Sequence, residues 1–137
     1  MNRVVLDASV VLALLNNESG ADRLTPDLLS NATSSTVNLA EVQTKLVSEG
    51  GRPDEAWEDS LSPIREAMPF TDEQAKIAGS LVAQTSRLGL SLGDRACLAL
   101  GIVLKAPIYT ADKAWKNLEE LKPCILRLSE KYEAISC

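Results

Sequence analysis

RVVLDASVVLALLNN, residues 3–17, changes its hydrophobic period at an aspartate. Residues 3–6 form a short apolar run with β-branched valines, the pattern of a strand buried on both faces. From Ser9 onward the pattern is helical. A strand that feeds directly into a helix is half of a β-α-β unit, and the rest of the chain repeats the alternation. NATSST (31–36) reads as a strand, and NLAEVQTKLVSEGG (38–51) as a helix burying Leu39, Val42 and Leu46 and ending at Gly50–Gly51. LTPDLL (24–29) carries a helix start, with Thr25 as cap and Pro26 at the first position. RPDEAWEDSLSPIREAM (52–68) reads as an acidic helix that Pro63 interrupts, followed by a short strand, MPFT (68–71). A helix over 71–89 opens with Thr71 and Gln74 in capping-box spacing and stops at Gly89. LSL then leads into a helix, APIYTAD (106–112) into a strand, KAWKNLEEL (113–121) into a short helix and CILRL (124–128) into a last strand. Such alternation predicts an α/β domain with a mostly parallel sheet, and 137 residues predict one domain, 1–137.

Composition removes several classes of function. Hydrophobic residues make up 45% of the chain, enough for a packed core. No apolar run is long enough to span a membrane, and Asp7 inside the first apolar segment is incompatible with a signal core, so a cytoplasmic protein without membrane contact is expected. There is no histidine, which excludes a Cys/His zinc site and a Ser/His triad. The three cysteines, Cys97, Cys124 and Cys137, lack metal-ligand spacing and read as thiols of a reducing compartment. A net charge of −5 opposes nucleic-acid binding by bulk electrostatics, unless acids are gathered around cations that offset them. The acid-rich stretch between Glu49 and Glu73 reads as a solvated helical surface.

Four other acids occupy equivalent places. Asp7 follows the first strand, Glu41 lies in the first turn of the helix after the second, Asp94 opens the helix after LSL, and Asp112 follows PIYT. In a parallel α/β sheet these positions share the carboxyl edge of the strands, where ligands bind. Each also has a plain structural use: Asp7, Asp94 and Asp112 as N-caps, and Asn38 with Glu41 as a capping box. Capping needs no charge, however, and Ser, Thr or Asn would serve as well. Gathered carboxylates repel one another unless a cation offsets them, and an all-oxygen set suits Mg²⁺ or Mn²⁺. Such a centre supports phosphodiester hydrolysis without histidine. Ser9 and Thr110, two residues from Asp7 and Asp112, are candidate supporting hydroxyls, or simple turn hydroxyls. Arg95, Lys113 and Lys116 are candidate phosphate contacts, with solvated surface charge as the favoured alternative. Trp57 and Trp115 read as packing residues rather than base-stacking ones.

VVLDASVVLALL (4–15), VNLAEV (37–42), LSLGDRACLAL (90–100) and IYTADKAW (108–115) together resemble, in order and separation, the signature blocks of PIN-domain ribonucleases. The resemblance is greatest to the VapC toxins of type II toxin–antitoxin pairs and covers nearly the whole chain. It implies a PIN-like three-layer α/β/α sandwich around a mostly parallel sheet of four or five strands. It also implies a metal-dependent endoribonuclease with Asp7, Glu41, Asp94 and Asp112 as its acidic quartet. Asp7 and Asp94 would be the firmest ligands of Mg²⁺ or Mn²⁺. Asp112 would complete or water-bridge the site, and Glu41 would hold a metal-bound water or act as a base. A homodimer and a small antitoxin partner that blocks the cleft are further implications.

The alternatives fit less well. A haloacid-dehalogenase-like phosphoryl-transfer enzyme would need Asp-x-Asp, and Ser9 stands at the second position. A receiver domain would need an early acidic pair that is missing. A DNA-processing nuclease of the same superfamily and a non-catalytic α/β binding module remain as rivals. Of these, only the binding module expects acid-to-amide changes to leave function intact.

Overall fold

Val4–Leu6 forms strand β1, and its three side chains divide between two apolar clusters: Val4 and Leu6 in one, Val5 in the other. The division follows from the two-residue period of a strand and shows that both faces of β1 are covered. The computed structural model describes residues 2–112, 115, 118 and 125–127. Among these, β1 pairs with β2 (Ala32–Ser35) on one side and β4 (Ile108–Thr110) on the other. β3 (Glu66–Met68) extends the sheet beyond β2, and β5 (Ile125–Arg127) extends it beyond β4. The order is β3-β2-β1-β4-β5 and every pairing is parallel.

Helices cover both faces. On one side lie α1 (Ala8–Leu15) and α3 (Thr36–Ser48), which contribute Val10, Val11 and Val42 to the cluster holding Val4 and Leu6. The short α2 (Pro26–Leu29) adds Leu28 and Leu29, and α4 (Pro53–Leu61) packs along α3. On the other side lie α5 (Asp72–Ser80) and α7 (Leu92–Leu104); Ile77, Cys97, Leu98 and Leu100 pack with Val5 and Ile108. The result is the three-layer α/β/α sandwich that the alternation and the resemblance imply. The helix over 92–104 buries Cys97, Leu98 and Gly101, residues at helical spacing from Asp94, so the face that Asp94 heads is turned to the core. Trp115 is fully buried in the same cluster, in keeping with a packing role, and Trp57 is half-buried. No helix among the described residues is long and apolar enough to cross a membrane.

Three local expectations are corrected. The strand expected at 68–71 lies at Glu66–Met68 instead. Pro69 has no N–H for the ladder, so pairing stops there, and the strand begins where Arg65 N–H donates to the Ala32 carbonyl, 2.9 Å. The helix expected over 71–89 breaks at Leu81 into α5, α6 (Val82–Thr85) and a 3₁₀ turn, Ser86–Leu88. Near the break, the Ser80 and Thr85 hydroxyls donate to the Lys76 and Leu81 carbonyls, local bonds that compete with the helical ladder. Only half of its capping box forms: Thr71 accepts from Gln74 N–H, while the Gln74 side chain donates to the Pro69 carbonyl. The helix expected from residue 38 starts earlier, at Thr36, with Ser35 as its cap. It ends as expected, Gly50 taking φ +103° while Gly51 N–H closes on the Leu46 carbonyl at 2.9 Å. The expected helix over 113–121 lies outside the described residues except for Trp115 and Leu118.

Leu98 is fully buried between α7 and the sheet. Leu98→Ala is expected to lower stability by about 2–5 kcal/mol, read from the midpoint of urea unfolding at unchanged slope.

Candidate functional site

β1 is the strand at which the sheet reverses direction: β2 and β3 are laid down on one side of it, β4 and β5 on the other. Its carboxyl end is therefore the topological switch point, where a crevice opens between neighbouring connections. Asp7 stands there, 4% exposed. Its carboxylate accepts from Val10 N–H at 3.0 Å and the Ser9 hydroxyl at 2.6 Å through Oδ1, and from the Thr110 hydroxyl at 2.5 Å through Oδ2. The two hydroxyls are themselves held: Ser9 Oγ accepts from Ala111 N–H and Thr110 Oγ1 from Asp112 N–H, each at 3.0 Å. Asp7 thus caps α1 and also ties β1 to the end of β4. The two readings of this residue are compatible, because capping occupies one oxygen only.

Asp94 is the third residue of α7, not its cap. Ser91 is the cap, and the pair makes a full capping box: Ser91 Oγ accepts from Asp94 N–H, 3.1 Å, and Asp94 Oδ2 from Ser91 N–H, 2.9 Å. Glu41 is reached from α3. The residue is exposed, yet its carboxylate lies against the first turn of α7, where a Cβ added at Gly93 would collide with both carboxylate oxygens. The capping-box reading of Asn38 with Glu41 is overturned, since both lie inside α3. Asn38 is buried, and its Nδ2 donates to Glu41 Oε1 at 2.9 Å and to the Gly93 carbonyl at 3.0 Å.

Asp7 and Glu41 both feel the charge of Asp94. Burial raises the Asp7 pKa to about 6, against the hydrogen bonds from Ser9, Thr110 and Val10, and the charge of Asp94 adds to the rise. Desolvation also raises the Glu41 pKa, opposed by Asn38 and assisted by Asp94. Cys97, one turn beyond Asp94, has its thiol pushed well up by burial and then by Asp7, Asp94 and Glu41 in turn. Among the described residues none of the three carboxylates forms an ion pair with a lysine or arginine. Asp112 joins this group through its backbone, by the N–H that Thr110 accepts.

The fit to a hard cation is therefore one of chemistry and charge: the site acids offer carboxylate oxygens, and among the described residues no lysine or arginine pairs with them. Among the described residues no three acidic or thiol side chains stand close enough to grip one ion as placed, so occupancy requires side-chain adjustment. Of the candidate phosphate contacts, Arg95 is engaged in the fold, its Nη1 donating to the Ala78 carbonyl of α5 at 2.9 Å. Lys113 and Lys116 lie outside the described residues. A cavity of about 970 Å³ opens at the opposite, amino edge of the sheet, lined by Arg3, Arg65, Lys105 and Pro107 among others, and contains none of the acids.

Residues 4–121 match the family model of the PIN domain. The chain belongs to the PIN-domain family. Solved structures place its fold among those of toxin–antitoxin PIN proteins. The DNA-bound VapBC from Salmonella typhimurium is 16% identical, with 93% of this chain and 99% of that one covered and a TM-score of 0.70. VapBC2 from Rickettsia felis, bound to a promoter DNA fragment, is 18% identical, covers 90% and 97%, and has a TM-score of 0.69. VapC20 from Mycobacterium tuberculosis, a toxin that cleaves the sarcin–ricin loop, is 20% identical, covers 80% and 90%, and has a TM-score of 0.67. At these identities the likeness is one of fold. No curated protein matches the chain. Asp7, Glu41 and Asp94 are thus acids of a PIN fold that meet at its sheet edge. Sequence reasoning missed two participants, Asn38 and Gly93, whose signal was an amide three residues before the helical acid and a glycine just before Asp94.

A raised carboxyl pKa favours the protonated form in the folded state. The stability that Asp7 contributes is full below its ordinary pKa of 3.8 and is lost as pH rises through about 6. Asn at this position does not titrate. In EDTA, Asp7→Asn should therefore gain on the wild type by about 3 kcal/mol between pH 3.5 and 7. Urea unfolding at several pH values checks this; a constant difference across the range would contradict it.

Proposed function

We propose that this PIN-domain protein is a metal-dependent endoribonuclease acting as the toxin of a toxin–antitoxin pair. The observation that carries the reading is the meeting of Asp7, Glu41 and Asp94 at the switch point of the sheet, one of them buried and with no basic partner among the described residues. In this reading Asp7, Asp94 and Asp112 hold Mg²⁺ or Mn²⁺. The ion supplies an acidified water, a fixed phosphate and charge stabilisation of the leaving oxygen. Ser9 and Thr110 orient the Asp7 carboxylate by donating to its two oxygens. Glu41, with its raised pKa, accepts a proton near neutral pH more readily than an ordinary carboxylate and is suited to act as a general base. Lys113 and Lys116 are the candidate phosphate contacts that remain once Arg95 is engaged with α5. The structural neighbours that are VapBC assemblies support an antitoxin partner for this chain. A homodimer in the cytoplasm completes the proposal.

Purified protein incubated with total RNA should cut it in Mg²⁺ or Mn²⁺ and stop in excess EDTA. Asp7→Asn and Asp94→Asn should each lower the rate by at least about 100-fold, seen as loss of fragments on a denaturing gel. Cleavage that persists in EDTA or in either variant would refute the mechanism. In cells, induced expression without a partner should arrest growth, and Asp94→Asn should restore it, read as colony count.

A further inference from the structure

Asn38 is a side chain that none of the proposed roles uses, and its geometry is unusual. It is 1% exposed on α3, and both bonds of its Nδ2 leave the backbone of its own helix unserved. One goes to Glu41 Oε1 at 2.9 Å, the other to the Gly93 carbonyl at the head of α7 at 3.0 Å. Its Oδ1 is buried with no partner. A buried acceptor left unpaired is costly, so this amide is turned to serve two acceptors at the expense of its own oxygen. Only an NH₂ group satisfies both at once; Asp would set an anion against Glu41, and Ser or Thr has a single hydrogen. Gly93 completes the arrangement. It is buried, and any Cβ there would occupy the space of the Glu41 carboxylate. Gly93 also precedes Asp94, so the part of α7 that Asn38 grips is the part that carries the second acid.

We infer that Asn38 and Gly93 are positioning residues: the amide holds Glu41 against the first turn of α7, the missing side chain at 93 makes room for it, and together they keep Glu41 beside Asp94, where it would hold a water of the cation that Asp94 binds. The inference rests on the proposed metal site, and the two are separable by experiment. The cost of the arrangement explains an otherwise wasteful buried polar group, since an apolar residue at 38 would pack between the helices without an orphaned oxygen.

The test is Mn²⁺ binding to the intact protein, followed by the paramagnetic resonance signal of the free ion, in the wild type, Asn38→Ala, Gly93→Ala, Glu41→Ala and the double variant Asn38→Ala/Glu41→Ala. Asn38→Ala and Gly93→Ala should each weaken binding about 10- to 100-fold, the range typical of residues that orient metal ligands. In the Glu41→Ala background, Asn38→Ala should have no further effect on affinity, because its action passes through that carboxylate. Gly93→Ala guards against a folding artefact. Alanine favours the helix, and what it displaces is the far end of a flexible side chain, so the unfolding midpoint should hold or rise while affinity falls. Unchanged Mn²⁺ affinity in both single variants, or an equal loss from Asn38→Ala with and without Glu41, overturns the positioning role while leaving the metal site standing. Failure of the wild type to bind Mn²⁺ overturns both.

Discussion

The structure turns on a carboxylate kept out of water at the point where a parallel sheet reverses. Asp7 receives three hydrogen bonds, one from the helix it caps, one from its neighbour Ser9 and one from the last residue of β4. These bonds fall short of the cost of burial, as its raised pKa shows. A polar contact meant only to join β1, α1 and β4 would be met by a neutral side chain at lower cost. The charge is retained at a location where the fold concentrates other acids, and this combination is characteristic of sites rather than scaffolds.

The surrounding topology explains why acids so distant in sequence can meet. α1 and α3 follow strands directly, so both begin at the carboxyl edge of the sheet. α7 leads into the amino end of β4, so it also runs antiparallel to the strands and it too begins at that edge. Three helix N-termini thus face the same region, each carrying a partial positive charge. They moderate the repulsion among Asp7, Glu41 and Asp94, which among the described residues have no basic side chain paired with them. The moderation is partial, and the proposed divalent cation would complete it.

Much of this was legible from residue order. The junction at Asp7 is strong because a β-branched apolar run and a helical pattern abut there, and tertiary packing agrees with both. The third strand was misplaced because it lies at the edge of the sheet: Glu66 is exposed and no alternation marks it, so only pairing with β2 defines it. Asp94 was read as an opening residue because the true cap, Ser91, sits in a segment without hydrophobic contrast. Glu41, expected in the first turn of its helix, is the sixth residue of α3 because the helix starts earlier, at Thr36, and the clamp around it leaves no mark in the sequence. An asparagine and a glycine 55 residues apart signal nothing until two helices cross. The sandwich follows from local patterns, whereas the fine geometry of the pocket is a property of helix packing.

Cys97 lies beneath three anionic groups in a dry layer, and its thiol is held protonated far into the alkaline range. Thiolate is the species that alkylating agents, peroxides and soft metals attack. The Cys97 sulfur is consequently a poor nucleophile, and among the described residues it is the carboxylate oxygens above it that a ligand would meet.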